Sequence, residues 1–165
     1  MFQLPIRTLG SEHSTGSSEL GQLPDWNLND LYTATDAKEL IRDLNWLEKE
    51  CNEFAKSYEG KLHTLSDKEM LTCIVRNEKI SSISGRIISY AGLLYYQKTT
   101  DADRAKFLSD MQEKITVFTT KLVFFSLEIN SLEDEFLDKL FTKNDQLARY
   151  KPVFEKIRAM KPYQL

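Results

Sequence analysis

Apolar side chains recur at alternating spacings of three and four residues along the middle of this 165-residue chain. That period places them on one face of a helix, which packs against other helices. The first stripe predicts a helix that begins near Thr35 or Asp36 and ends near Tyr58. Its apolar positions are Leu40, Leu44, Leu47, Cys51, Phe54 and Tyr58. Ile41 and Trp46 lie beside the stripe, and this wider face is typical of a bundle helix rather than of a two-stranded coiled coil.

A second helix is predicted from Ser66 to about Gln97, because Ser66 and Glu69 have the spacing of a capping box. The middle of this segment is rich in small residues. Gly85 and Gly92 are seven residues apart, so they share one face of the helix. Each glycine costs a helix up to about 1 kcal/mol relative to alanine. We favour close helix–helix packing at these glycines over a groove that admits a ligand or a partner backbone.

Three further helices are predicted, over residues 100–125, 131–141 and 152–160. Thr100 and Asp101 supply an N-cap for the first of them, Ser131 an N-cap for the second, and Pro152 suits the first turn of the last. The chain shows no pair of strands and no tandem repeat. The predicted fold class is therefore all-α, a bundle of about five helices of which three are long.

The segment before the first helix has two parts. Residues 1–22 include a stretch rich in Gly and Ser, which predicts a flexible leader that contains His13. Residues 23–32 show no helical period, yet they carry four large apolar side chains, Trp26, Leu28, Leu31 and Tyr32. That much apolar surface favours burial. We expect residues 23–32, called the strap below, to lie as an extended segment across the helices.

Charge and composition exclude several classes of function. The 22 basic and 25 acidic residues are interspersed and give a net charge of -3, so the chain has no basic patch for nucleic acid. No stretch approaches the roughly 20 apolar residues of a membrane helix, and the start of the chain lacks the pattern of a secretory signal. Cys51 and Cys73 are too few for a disulfide framework. We interpret both as small buried hydrophobes and expect a cytoplasmic location.

Catalytic chemistry is hard to place on these residues. A helical zinc peptidase site needs two histidines four residues apart and an adjacent glutamate, but His13 and His63 have no such partner. The acidic pairs are interpreted as solvated helix faces or helix N-termini. A bundle enzyme that uses carboxylates is a weaker hypothesis, since it requires a strongly raised carboxyl pKa. We therefore predict no catalytic residue, no metal ligand and no cofactor in this chain.

Four polar and aromatic side chains cluster at the end of the second predicted helix. They are Tyr90, Tyr95, Tyr96 and Gln97. Their hydroxyl and amide groups are candidates for contact with a peptide backbone in a substrate channel. The alternative, which we favour, is packing in the bundle with the hydroxyls at the rim.

Several segments follow one another in an order that resembles the N-terminal region of oligoendopeptidase F, a zinc metallopeptidase family of the thimet oligopeptidase type. The segments are LPDWNLNDLY at 23–32, YEGKL at 58–62, GRIISYAGLLY at 85–95 with TTD at 99–101, LVFFSLEIN at 122–130, Tyr150, and KPYQL at 161–165. No single segment is decisive, but their order along the chain is fairly specific.

The resemblance implies that residues 23–165 are a helical N-terminal domain that forms one wall of a deep channel for short peptides. It also implies that the HExxH helix, the third glutamate ligand and the zinc belong to a C-terminal catalytic domain that is missing from these residues. The expected partners are that catalytic domain and a short peptide substrate. The alternative is a free-standing helical module for protein interaction or self-association, using the wide stripes and the face of Gly85 and Gly92.

Overall fold

The computed structural model describes residues 26–159 and 161–163, and the predicted leader, residues 1–22, lies outside them. Seven α-helices follow one another: α1 Lys38–Tyr58, α2 Asp67–Gln97, α3 Ala102–Thr120, α4 Val123–Ser131, α5 Asp134–Lys143, α6 Asp145–Ala148 and α7 Lys151–Arg158. Single 3-10 turns occupy Leu62–Thr64 and Lys161–Tyr163. The described ranges contain no strand, so the predicted all-α class is confirmed.

The 31-residue helix α2 is the centre of the bundle. Helices α1 and α3 contact it and also contact each other, and α5 and α6 contact it as well. Helix α4 contacts α7 and the first 3-10 turn. The largest fully buried side chains come from five of the helices and from the first 3-10 turn, and they include Phe54, Leu62, Met70, Ile87, Ile129, Leu147 and Phe154.

Two helix starts agree with the prediction from capping residues. The Ser66 N–H donates to the Glu69 carboxylate at 2.8 Å, and the Glu69 N–H donates to Ser66 Oγ at 3.4 Å, which forms the capping box of α2. The Asp101 carboxylate accepts from the N–H groups of Asp103 and Arg104 at 3.1 and 3.2 Å. The Ser66 hydroxyl also donates to the Glu69 carboxylate, at 2.7 Å, and this bond, followed by the one from the Ser66 N–H, lowers the pKa of Glu69. The pKa of Asp101 is lowered chiefly by the Arg104 N–H.

The helix predicted over residues 100–125 is wrong in its length, because the chain turns at Lys121 and Leu122 and forms α3 and α4 instead. The Leu122 N–H donates to the Thr119 carbonyl at 2.9 Å, as in a tight turn. The turn brings the rings of Phe124 and Phe125 to 6.0 and 5.7 Å from the ring of Phe54. Apolar burial at this corner therefore outweighs continuation of the helix.

Other boundaries also differ from the prediction. Ser131 does not cap a helix; it ends α4, and its hydroxyl donates to the Leu127 carbonyl at 3.0 Å. The N-cap of α5 is Glu133. An unpredicted short helix, α6, follows Asn144, whose side-chain oxygen accepts from two backbone N–H groups at 3.1 Å. Residues 26–159 and 161–163 therefore form seven α-helices rather than about five.

The first and the last predicted helices agree better with the structure. Helix α1 begins at Lys38 with Ala37 as its N-cap residue, slightly later than the expected Thr35 or Asp36. Helix α7 carries Pro152 in its first turn, as predicted. Proline is tolerated there because the first N–H groups of a helix have no intrahelical partner.

Candidate functional site

From Trp26 onward the strap contacts α1 and α2, but only one of its four large apolar side chains, Tyr32, is buried. Leu28 and Leu31 are half-buried, and Trp26 is 52% exposed, which corrects the expected burial of this residue. The side chain of Tyr32 is 2% exposed, and its hydroxyl donates to Asp43 Oδ2 on α1 at 2.9 Å. Its ring meets that of Tyr90 on α2 edge to face, with the centroids 5.4 Å apart. The strap is not extended throughout, because the N–H groups of Leu31 and Tyr32 both donate to the Leu28 carbonyl, at 2.9 and 3.1 Å.

A buried carboxylate organises the contact between the strap and the helices. Asp43 is 5% exposed and accepts two hydrogen bonds on Oδ1 from Arg42, at 3.1 Å from Nε and 2.9 Å from Nη2. Nη1 of Arg86 lies 3.7 Å from Asp43 Oδ2. Burial, followed by the hydrogen bond to Asp43, raises the pKa of Tyr32 well above its ordinary range. A buried carboxylate is stable only where charges and hydrogen-bond donors surround it, and Tyr32, Arg42 and Arg86 supply them here.

Arg86 of α2 fixes the end of the strap. Its Nε donates to the Leu31 carbonyl at 3.1 Å, and its Nη2 donates to the same oxygen. Its guanidinium carbon lies 4.4 Å from the centre of the Tyr32 ring, a cation–π contact. At the other end of the strap, the Gln97 side-chain amide donates to the Trp26 carbonyl at 2.7 Å.

An open pocket of about 280 Å³ adjoins this contact, and we call it the basic groove. Its lining residues are Arg42, Asp43 and Trp46 of α1 and Lys79, Ile83 and Arg86 of α2. The Lys79 ammonium lies 4.8 Å from the centre of the Trp46 ring. No local sequence pattern indicates this groove. The spacing of 79, 83 and 86 is helical and places them on one face, but the residues of α1 that meet them depend on how the two helices pack.

The four predicted channel residues do not share one surface. Tyr90 is 3% exposed and packs between the rings of Tyr32 and Phe107, and its burial raises its pKa. The Gln97 amide is engaged by the Trp26 carbonyl and by Arg104, which donates to it at 3.2 Å. Tyr95 and Tyr96 have ring centroids 5.5 Å apart, and Tyr96 is 63% exposed. Of the four, Tyr96 is the most exposed.

The two glycines of α2 are not closely packed among the described residues. A Cβ at Gly85 would meet no heavy atom within 4 Å, and one at Gly92 would meet only the Tyr96 ring, at 3.8 Å. The helix–helix contact that we predicted at Gly85 and Gly92 is therefore not found in this part of the chain. Gly92 instead lines a second pocket, of about 340 Å³, called the α2–α3 groove. It is lined by Ile88, Ser89, Gly92, Leu93, Tyr96, Leu108 and Gln112.

His63, Cys51 and Cys73 lie outside the linings of these two grooves. Within residues 26–159 and 161–163, no three His, Cys, Asp or Glu side chains are close enough together to hold a metal ion, so this part of the chain does not fit zinc. His63 is exposed in the first 3-10 turn. Cys51 and Cys73 are fully buried, as predicted, and burial raises their thiol pKa to about 11 and about 12.

The described residues thus define an all-α domain with open grooves on its surface. None of the described helices is long and apolar enough to cross a membrane. A family model described as Oligopeptidase F, for the N-terminal part of the M3 peptidases, matches residues 128–165. No curated protein and no solved structure matches the chain.

The matched segment starts within α4 and includes α7. Glu128 joins it to the chain after α1, and Arg158 joins α7 to the end of α4 within it. The Glu128 carboxylate accepts from the N–H groups of Gly60 at 2.5 Å and Leu62 at 3.2 Å, just after α1. The Arg158 guanidinium donates to the carbonyls of Ile129 at 3.0 Å and Leu132 at 2.6 Å, and it also binds Asp134. The buried side chains of the matched segment include Ile129, Leu132, Leu137, Leu140, Leu147 and Phe154. The contacts described for this segment hold its helices together and attach them to the rest of the bundle.

Proposed function

We propose that this chain is the non-catalytic helical N-terminal domain of an oligoendopeptidase F-like zinc metallopeptidase that cleaves short peptides. The observation that carries the proposal is the family match over residues 128–165. Zinc and the catalytic side chains would come from a C-terminal domain, because the described residues hold no suitable group of ligands. The role of this chain is then to shape the access of substrate and to supply no catalytic group.

We assign the wall of the substrate channel to the α2–α3 groove. Apolar side chains such as Leu93 and Leu108 line it beside the polar groups of Ser89 and Gln112, a mixture suited to a peptide. Gly92 keeps one side open, and Tyr96 offers an exposed ring and hydroxyl. Gln97 would act indirectly, because its amide holds the strap against the end of α2.

The catalytic domain would dock against an apolar surface on α4. Val123 and Leu127 are four residues apart and lie on one face of that helix. They are 55% and 48% exposed. Large apolar side chains that are exposed together favour a protein contact. The same observation favours a second candidate function, a free-standing interaction module, in which this face binds a different protein or a second copy.

The first experiment compares the isolated chain with a zinc peptidase standard on a short internally quenched peptide. We expect no cleavage by the isolated chain, with or without added zinc. Cleavage by this chain that a chelator abolishes would contradict the proposal.

The second experiment uses a polypeptide that contains this chain and an HExxH domain. Tyr96→Ala should raise KM for the peptide by several-fold and leave kcat nearly unchanged, because a wall residue contributes to binding rather than to the chemical step. Val117→Ala is the matched control, since Val117 is similarly exposed, at 56%, and does not line the groove. Equal effects of the two substitutions on KM would show that the α2–α3 groove does not line the substrate channel.

A further inference from the structure

The basic groove has the charge and the donors of an anion site, and its ligand does not depend on the peptidase proposal. We propose that it binds a phosphate dianion, either as free phosphate or as the terminal phosphate of a small ester. The groove is defined by residues of α1 and α2 alone, so the site would be complete in this chain.

The charge balance in the groove favours a doubly charged anion. Arg42, Lys79 and Arg86 contribute three positive charges and Asp43 one negative charge, so the formal sum is 3 - 1 = +2. The chain as a whole carries -3. Among the described residues, no acidic side chain forms an ion pair with Lys79. A local excess of positive charge in a concave site raises the local concentration of anions.

Hydrogen bonds hold Arg42 and Arg86 in place and leave some of their N–H groups without a partner among the described residues. Arg42 uses Nε and Nη2 on Asp43, which leaves its Nη1 group for a ligand. Arg86 uses Nε and Nη2 on the Leu31 carbonyl, and its Nη1 forms an ion pair with Asp43 Oδ2 at 3.7 Å, which is too long for a hydrogen bond and leaves the N–H groups of Nη1 for a ligand. Fixed guanidinium groups match the geometry of phosphate oxygens and lose little entropy on binding. Lys79 would add a third donor as a mobile point charge.

The groove also offers an apolar wall. Trp46 is half-buried, and Ile83 lies across from it on α2. A phosphate ester with a small flat body would place its phosphate among the cations and its body against these two side chains. The wall is why we include esters as well as free phosphate among the ligands.

The groove contains its own optical reporter. Trp46 is one of two tryptophans in the chain, so Trp26→Phe leaves it as the single tryptophan. In that background we would titrate inorganic phosphate and then phenyl phosphate at constant ionic strength, with chloride as the balancing anion. Equilibrium dialysis with labelled phosphate measures the same binding without relying on fluorescence. We expect saturable binding that weakens below about pH 6, where a phosphate ester loses its second charge.

Lys79→Gln tests the site without touching the strap. It should weaken phosphate binding by about tenfold or more, the effect of losing one charge-assisted hydrogen bond. The matched control is Lys114→Gln, which removes the same charge from an exposed lysine on α3 outside the groove. Thermal unfolding confirms that both variants fold.

Every result of this experiment decides something about the site. Saturable binding of phosphate or phenyl phosphate that is weakened by Lys79→Gln alone supports the site, and the tighter of the two ligands identifies free phosphate or an ester. Absence of saturable binding in both assays overturns it, and so does saturable binding that Lys79→Gln leaves unchanged. Equal weakening by Lys79→Gln and Lys114→Gln also overturns it, because binding would then follow net charge only.

Discussion

The hydroxyl of Tyr32 donates a 2.9 Å hydrogen bond to the buried carboxylate of Asp43, and this bond joins the strap to α1. Tyr32→Phe should lower the free energy of unfolding by about 1–3 kcal/mol, because it leaves a buried carboxylate with one partner fewer. Urea denaturation measures the change. Tyr96→Phe is the control and should be nearly neutral, since Tyr96 is 63% exposed. Equal losses from the two substitutions would mean that the bond contributes nothing specific.

Arg158 fastens α7 to the end of α4, and its side chain is 15% exposed. Arg158→Lys should destabilise the protein by about 1–3 kcal/mol, because lysine cannot reproduce the fork that serves two carbonyls and a carboxylate. The control is the same substitution at an exposed arginine, Arg149→Lys, which should change the free energy of unfolding by less than about 0.5 kcal/mol. The prediction fails if the two variants unfold at the same urea concentration.

The capping box of α2 gives a prediction with a pH dependence. Ser66→Ala should cost about 1 kcal/mol, the usual value of an N-cap, whereas Ser57→Ala in the exposed last turn of α1 should not. The hydrogen bonds from Ser66 lower the pKa of Glu69 below its ordinary 4.5. The capping contribution of Glu69 is therefore present above that pH and is lost as the pH falls through the lowered pKa. Unfolding of wild type and Glu69→Gln, measured at neutral pH and at about pH 3, should differ less at the lower pH.

The two cysteines predict the opposite pH dependence. Burial raises the thiol pKa of Cys51 to about 11 and of Cys73 to about 12, from an ordinary 9.0. The unfolded chain releases these protons first, so stability is complete below pH 9 and declines as the pH rises through the native values. A thiol reagent at neutral pH should label neither cysteine in the folded protein and both after denaturation. Rapid labelling of the folded protein would show that the core around them opens.

The sequence predicted local features of this fold better than features made by packing. Ser66 and Asp101 act on their own neighbours, so their helix starts were predicted correctly. The break between α3 and α4 was missed because apolar residues continue at helical spacing through Leu122, and only the rings around Phe54 reveal the reason for the turn.

In the candidate site, too, local features could be predicted from the sequence and contacts between distant residues could not. The apolar content of the strap indicated that it would lie on the helices, and Tyr32 does so. The hydrogen bond from Arg86 to the Leu31 carbonyl joins residues that are 55 positions apart. A local sequence pattern cannot predict such a contact. The basic groove likewise depends on the register between α1 and α2. The glycines of α2 suggested close packing, but a small residue fits an open groove equally well, as Gly92 does.

The most direct test of the proposed function is to isolate the native polypeptide with an antibody raised against this chain. Its sequence beyond position 165 and its activity on a short quenched peptide are then measured together. The account predicts a longer polypeptide with an HExxH motif after this domain, and peptide cleavage that a chelator abolishes and zinc restores. A native polypeptide that ends at Leu165 and has no such activity would contradict it, and would favour the free-standing interaction module.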